Sequence, residues 1–242
     1  MELLSVGYEA DGLGFTGFLA DGSHGRSVPG ILVIHEGGGL TEETKARTLR
    51  LAELGCVAFA MDLFGEPVVE LERAREITRY LRENVAALRA RCRAALEIVR
   101  AQPGTDSARL GAIGFCIGGA AAIELARDGA DLACVVGFHS GFIEGPPAED
   151  DRNIKAKLLL CQGAADPIVT PAQRDDFLAR MTEAGVDWQL QLYGGVGHSF
   201  TNPQIDAWKL PGFAYDAVAD RRAWAAMRAM FDEVFRPEAI RR

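Results

Sequence analysis

Leu110-Gly111-Ala112-Ile113-Gly114-Phe115-Cys116-Ile117-Gly118-Gly119 opens as a short apolar run and closes on a cysteine set among glycines, directly ahead of the helical run Ala120 to Ala126. A strand that turns sharply into a helix needs small residues two positions either side of its apex, because side chains there would collide with the returning backbone. Gly114 and Gly118 meet that need around Cys116. The turn also aims the next backbone N–H, that of Ile117, and the helix N-terminus at whatever Cys116 holds, and both favour a thiolate and an oxyanion.

Outward from this segment, the same alternation recurs. Ile31-Leu32-Val33-Ile34, Val57-Ala58-Phe59-Ala60, Val135-Val136-Gly137-Phe138, Leu158-Leu159-Leu160 and Gln189-Leu190-Gln191-Leu192 read as strands with helical patterns between them. Two further strands near residues 3–8 and 14–20 form a hairpin through the Asp11-Gly12 turn signal. Short unalternating apolar strands separated by helices predict an α/β fold: a mostly parallel sheet of about eight strands with helices on both faces and right-handed crossovers. Ligands then meet the carboxyl ends of the strands. No Gly, Ser or Pro linker divides the chain, so a single domain over residues 1–242 is expected, with a small helical cap in the arginine- and alanine-rich stretch around residues 66–100.

Bulk properties narrow the partners. With 48% hydrophobic and 25% charged residues in 242, the composition is that of an ordinary globular chain, and a net charge of −8 would repel a phosphate backbone, which excludes a nucleic-acid surface. Neither a basic, apolar leader nor a run of about 18 apolar residues is present, so a cytoplasmic protein without a membrane partner is expected, a monomer or a homodimer. Five cysteines without a C-x-x-C pair suit a reducing compartment. Cys56, Cys92, Cys134 and Cys161 read as packing residues; only Cys116 sits among glycines.

Partners for Cys116 follow it in the order nucleophile, acid, histidine, each in a loop after an expected strand. Asp166 stands before Pro167, which biases the chain toward an extended or turn conformation from which a carboxylate can project. His198 lies in Gly194-Gly195-Val196-Gly197-His198-Ser199-Phe200, where glycines let an imidazole reach back. Asp62 is a rival acid, but it precedes Cys116 and is expected to hold structure. His24, His35 and His139 read as loop, packing or hydrogen-bonding residues. His35-Glu36 begins like H-E-x-x-H, yet position 39 is glycine and the segment is a loop, so no metal is expected. His35-Glu36-Gly37-Gly38-Gly39 reads instead as an oxyanion loop, with the Gly37 amide as the second donor.

Four blocks together resemble the dienelactone hydrolase family of the α/β-hydrolase superfamily: Val33-Ile34-His35-Glu36, Gly114-Phe115-Cys116-Ile117-Gly118-Gly119, Gln162-Gly163-Ala164-Ala165-Asp166-Pro167, and Tyr193 to Phe200. The resemblance spans nearly the whole chain. It implies a Cys-His-Asp triad on a compact α/β-hydrolase fold, no cofactor, and a glutamate, matching Glu36, that contacts the resting thiol. It also implies two arginines that hold a substrate carboxylate. Arg75 is similar to the first, with Arg79 nearby on the same stretch, but Asn202 occupies the second arginine's place, which points away from a chlorinated dienelactone.

The expected activity is hydrolysis of a small-molecule ester or lactone: Asp166 orients His198, His198 takes the thiol proton, Cys116 attacks the carbonyl, the Ile117 and Gly37 amides stabilise the oxyanion, and water cleaves the thioester. A promiscuous phosphotriester or thioester hydrolase with the same residues is one alternative. A non-catalytic binding protein in which Cys116 is merely a buried or redox-sensitive thiol is the other.

Overall fold

A computed structural model of the chain describes residues 1–68 and 70–235. Residues 236–242 of the expected domain, and residue 69 of the expected cap, lie outside the described residues.

Eight strands make one sheet. β1 (Leu4–Ala10) and β2 (Leu13–Asp21) form the expected hairpin, closed by Asp11 and Gly12. Both turn residues have positive φ, 52° and 71°, the backbone that matches the twist of two antiparallel strands. β3 (Val28–Ile34), β4 (Val57–Met61), β5 (Thr105–Phe115), β6 (Cys134–Phe138), β7 (Lys157–Gly163) and β8 (Trp188–Tyr193) run parallel in the order β1-β2-β4-β3-β5-β6-β7-β8, with β2 antiparallel to β4.

The central strands are apolar on both faces because both are covered. Leu32 and Ile34 of β3 join one core with α2 (Leu71–Glu83), α3 (Val85–Arg100), α4 (Ile117–Arg127) and α6 (Pro171–Glu183). Ile31 and Val33 join the other with α1 (Glu42–Glu53) and α7 (Ala217–Phe235). A four-residue helix, α5 (Ala148–Asp151), precedes β7. The arginine-rich stretch breaks at Asn84 into α2 and α3. α3 contributes Leu88, Cys92, Leu96 and Val99 to the core over the sheet, whereas α2 forms a wall of the cleft described below. Among the described residues, no helix is long and apolar enough to cross a membrane.

β3, β5, β6, β7 and β8 all end toward the same edge, as parallel strands must. The loops that carry Glu36, Cys116, His139, Asp166 and His198 leave the sheet there.

Candidate active site

Cys116 sits at the apex between β5 and α4 with φ 54° and ψ −116°, a conformation a non-glycine residue holds only when its surroundings fix it. They do. Its N–H donates to the Phe138 carbonyl at 3.0 Å, and its own carbonyl accepts from Gly119, Ala120 and Gly141 at 3.1, 3.3 and 3.2 Å. The flanking glycines are needed for contact reasons: a Cβ on Gly114 would run into the Gly118 carbonyl, and one on Gly118 into the Ile34 and His35 carbonyls of the neighbouring strand end. Of the five cysteines, Cys116 alone is partly open; the others are buried, and burial pushes the Cys92 and Cys161 thiols up to about 12.

Asp166 and His198 meet from separate loops. His198 Nδ1 donates to Asp166 Oδ2 at 2.7 Å, with both side chains buried. The other carboxylate oxygen, Oδ1, accepts from the Ile168 N–H at 2.7 Å, so the acid is held on both sides. Gly197 serves a close approach more than flexibility, since a Cβ there would strike the Gly212 carbonyl that accepts the His198 N–H at 2.9 Å. His198 Nε2, the ring nitrogen that Asp166 leaves open, is buried. Burial by itself disfavours the imidazolium, but the Cys116 charge and the hydrogen bonds to Asp166 and Cys116 outweigh it and push the His198 pKa up to about 10.

Ile117 opens α4, so its N–H has no preceding helical turn to bond, and Gly37 follows β3; both line the cleft into which Cys116 opens. Glu36 is buried beside them. Its Oε1 faces Arg47 at 3.3 Å and its Oε2 accepts from Ser199 Oγ at 3.2 Å. No hydrogen bond joins it to the Cys116 thiol among the described residues.

Arg47 and Ser199 are the residues that sequence reasoning missed. Arg47 is buried, lies 3.9 Å over the Phe115 ring, and donates to the Thr201 carbonyl at 2.8 Å. A signal existed: Thr44, Arg47, Thr48 and Leu51 fall at helical spacing on the buried stripe of α1, so the arginine stands in a core position. His139 packs edge-on against His198, with ring centroids 5.1 Å apart, and bonds Thr201 Oγ1 through Nε2 at 2.9 Å. Burial, then the charges of His198 and Arg47, lower its pKa well below the ordinary value, so it stays neutral. The other polar candidates hold loops. Asp62 accepts from the Phe64 and Gly65 N–H groups at 2.9 and 3.0 Å. His35 accepts the Leu63 N–H on Nε2 at 2.9 Å and bonds the Glu36 carbonyl through Nδ1 at 2.7 Å.

The profile of the dienelactone hydrolase family matches residues 15–235. The chain belongs to that family. Two solved structures superpose with a TM-score of 0.93: one named m3DLH, 41% identical, and a dienelactone hydrolase-like promiscuous phosphotriesterase from metagenomic libraries, 36% identical, each matched over 97% of this chain and 98% of the other. The carboxymethylenebutenolidase of a Pseudomonas species is 31% identical over 162 residues, 62% of this chain and 64% of that one. The chain is thus a hydrolase of the dienelactone hydrolase family with the α/β-hydrolase fold.

In this family member the cleft over Cys116 and His198 has a volume of about 900 Å³. Arg75 and Arg79 line it from α2, and Asn202 from the loop after His198. Arg75 is exposed and pairs with Glu72 at 3.5 Å; Asn202 Oδ1 is engaged by the Gln204 N–H at 2.9 Å. Val68, Leu71, Ile143, Ile205 and Phe213 supply apolar lining between these polar groups.

Proposed function

We propose that this protein hydrolyses carboxylic esters or lactones through a Cys116 thioester, with His198 as proton carrier, Asp166 as its orienting acid and the Ile117 and Gly37 amides as oxyanion donors. The observation that carries the reading is the buried chain Asp166 Oδ2 to His198 Nδ1 at 2.7 Å, which occupies Nδ1 and leaves Nε2 as the ring nitrogen open to Cys116.

The same electrostatics account for both half-reactions. Once the thiol has given its proton to His198, the Cys116 charge is the largest influence raising the His198 pKa, so the ring holds that proton. Attack on the carbonyl forms the C–S bond and consumes that charge. Burial then dominates, the imidazolium becomes a stronger acid, and it hands its proton to the departing alcohol oxygen as the C–O bond breaks. His198 is now neutral while Asp166 still holds Nδ1–H, so Nε2 is free to take a proton from water as the hydroxide adds to the thioester. Expulsion of Cys116 restores the pair.

Phosphotriesters are a second class of electrophile for this site. Support comes from the 36% identical promiscuous phosphotriesterase and from the Gly37-Gly38-Gly39 loop, which places no side chain near the electrophile. One experiment tests both. Cys116→Ala should lose at least about 10²-fold in kcat/KM on p-nitrophenyl acetate, the scale expected when a nucleophile acting with its base is removed. Iodoacetamide should label Cys116 stoichiometrically and abolish turnover. A variant with wild-type kcat/KM would reject the nucleophile, and diethyl aryl phosphate hydrolysis that survives Cys116→Ala would reject the second substrate class alone.

A further inference from the structure

Two of the exposed large apolar side chains, Ile168 and Trp208, line the active-site cleft, 43% and 39% accessible. Leu210 and Phe213 line the same cleft, and the Phe213 ring meets His198 edge-on with centroids 4.8 Å apart. The segment carrying Trp208, Leu210 and Phe213 is tied to the backbone around the histidine. His198 N–H donates to Gly212 O at 2.9 Å, Ala214 N–H to His198 O at 3.3 Å, and Asp216 N–H to Phe200 O at 3.0 Å. Ile168 is fixed to the acid, since its N–H is the one that Asp166 Oδ1 accepts. The apolar wall therefore keeps a fixed register with the imidazole. α2 also borders the cleft: Val68, just ahead of it, lies 3.6 Å from where a Cβ on Gly39 of the glycine loop would stand, and Arg82 donates to Phe142 O at 2.8 Å.

We infer that the wall formed by Ile168, Trp208, Leu210 and Phe213 is a leaving-group subsite, and that it selects esters of aryl or bulky alkyl alcohols. The inference rests on the Cys116–His198 reading above. When the C–O bond breaks, the electron pair departs on the alcohol oxygen, which takes the proton from His198 Nε2. That oxygen must lie within hydrogen-bond reach of Nε2, so its substituent occupies the space beside the ring. The groups around that space are apolar and partly exposed, and they gain most by being covered with an apolar or aromatic surface. The acyl portion, its carbonyl oxygen directed at the Ile117 and Gly37 amides, extends the other way, toward Arg75 and Arg79 of α2. Selectivity should therefore follow the size of the alcohol on one side and the charge of the acyl group on the other.

The test compares 2-naphthyl acetate with the acetate of a small fluorinated alcohol of similar acidity, so that acyl group and leaving-group basicity are matched. In wild type the naphthyl ester should be preferred in kcat/KM. Trp208→Ala and Ile168→Ala, both at accessible positions, should each shrink that preference about five- to ten-fold, expressed in KM more than kcat. The inhibition constant of 2-naphthol should rise by a similar factor in the same variants. An unchanged preference and an unchanged 2-naphthol constant in both variants would overturn the subsite; so would a loss that tracks acyl chain length and ignores the alcohol. Cys116→Ala separates this failure from the earlier one. If that variant is inactive while the naphthyl preference survives in Trp208→Ala and Ile168→Ala, only the subsite falls; if it is fully active, the Cys116 reading falls first.

Discussion

Asp166→Asn is the most informative single substitution, because the structure dictates which way the new amide points. Asp166 Oδ1 accepts the Ile168 N–H at 2.7 Å, and Oδ2 accepts His198 Nδ1–H at 2.7 Å. An asparagine must keep its oxygen on the Ile168 N–H, which leaves its NH₂ facing His198. Two donors cannot share that contact, so the imidazole switches tautomer: Nδ1 becomes the acceptor and the proton moves to Nε2, where it blocks transfer from the thiol or from water. Loss of one charged hydrogen bond would cost about 1.5–3 kcal/mol, or roughly 10- to 150-fold. Tautomer inversion should cost more, about 10³–10⁴-fold in kcat/KM, equivalent to about 4–5.5 kcal/mol. Asp166→Ala imposes no tautomer and should therefore lose less than Asp166→Asn, an ordering opposite to the chemical conservatism of the two changes. The assay is p-nitrophenyl ester hydrolysis by protein with an unchanged circular dichroism spectrum. A loss under ten-fold in Asp166→Asn, or an alanine variant slower than the asparagine one, would refute the argument.

The buried Glu36–Arg47 pair should behave as a unit. Arg47→Met strands the carboxylate and should cost about 3–5 kcal/mol in urea unfolding, lowering Tm by about 6–20 °C, while adding Glu36→Gln should recover at least about 1 kcal/mol; strictly additive costs would contradict the pairing. The raised His198 pKa fixes a pH dependence. Its contribution to stability should be fully present below the ordinary value of 6.5 and lost as pH rises through about 10, so the gap in unfolding midpoint between wild type and His198→Asn should narrow toward alkaline pH. In Cys116→Ala, where the main influence raising that pKa is gone, the His198 ring resonances followed by NMR should titrate at lower pH than in wild type; an equal or higher midpoint would count against the coupling.

The architecture was legible because its signals are local and physical. Each central strand is an apolar run on both faces, and the residues that end those strands differ sharply from their surroundings: Cys116 between glycines, Asp166 before Pro167, His198 after Gly197. All three leave the sheet at its carboxyl edge, where parallel topology gathers them without help from sequence proximity. What stayed hidden are charged residues in buried positions. Arg47, Glu124, Arg127 and Asp151 are all nearly inaccessible, yet their residue types are usually solvated, so nothing in composition marks them. Their burial is tolerated because each finds a partner across the fold. Arg127 Nε donates to Asp151 at 2.7 Å, and Arg89 bridges Glu124 and Asp150 at 2.8 and 2.7 Å, pairings between residues far apart in the chain that no local pattern encodes. Glu36 was found by its place in the oxyanion loop, but its holders, Arg47 and Ser199, come from α1 and from the loop beside His198.

That pairing explains how a buried carboxylate can stand next to a site proposed to stabilise an oxyanion. Glu36 immediately precedes Gly37, and an unneutralised charge there would repel the negative oxygen that the Gly37 amide is expected to receive. The Arg47 charge beside one oxygen offsets that repulsion, and the Ser199 hydroxyl holds the other oxygen. Arg47 is itself fixed by the Phe115 ring and the Thr201 carbonyl, so the compensation needs no motion when charge develops. The same guanidinium acts on the histidines. With His139 and His198 ring centroids 5.1 Å apart, two imidazolium ions would repel strongly; burial, the His198 charge and Arg47 together keep His139 neutral. In the proposed mechanism the mobile proton is thereby confined to one ring, the one bonded to Asp166.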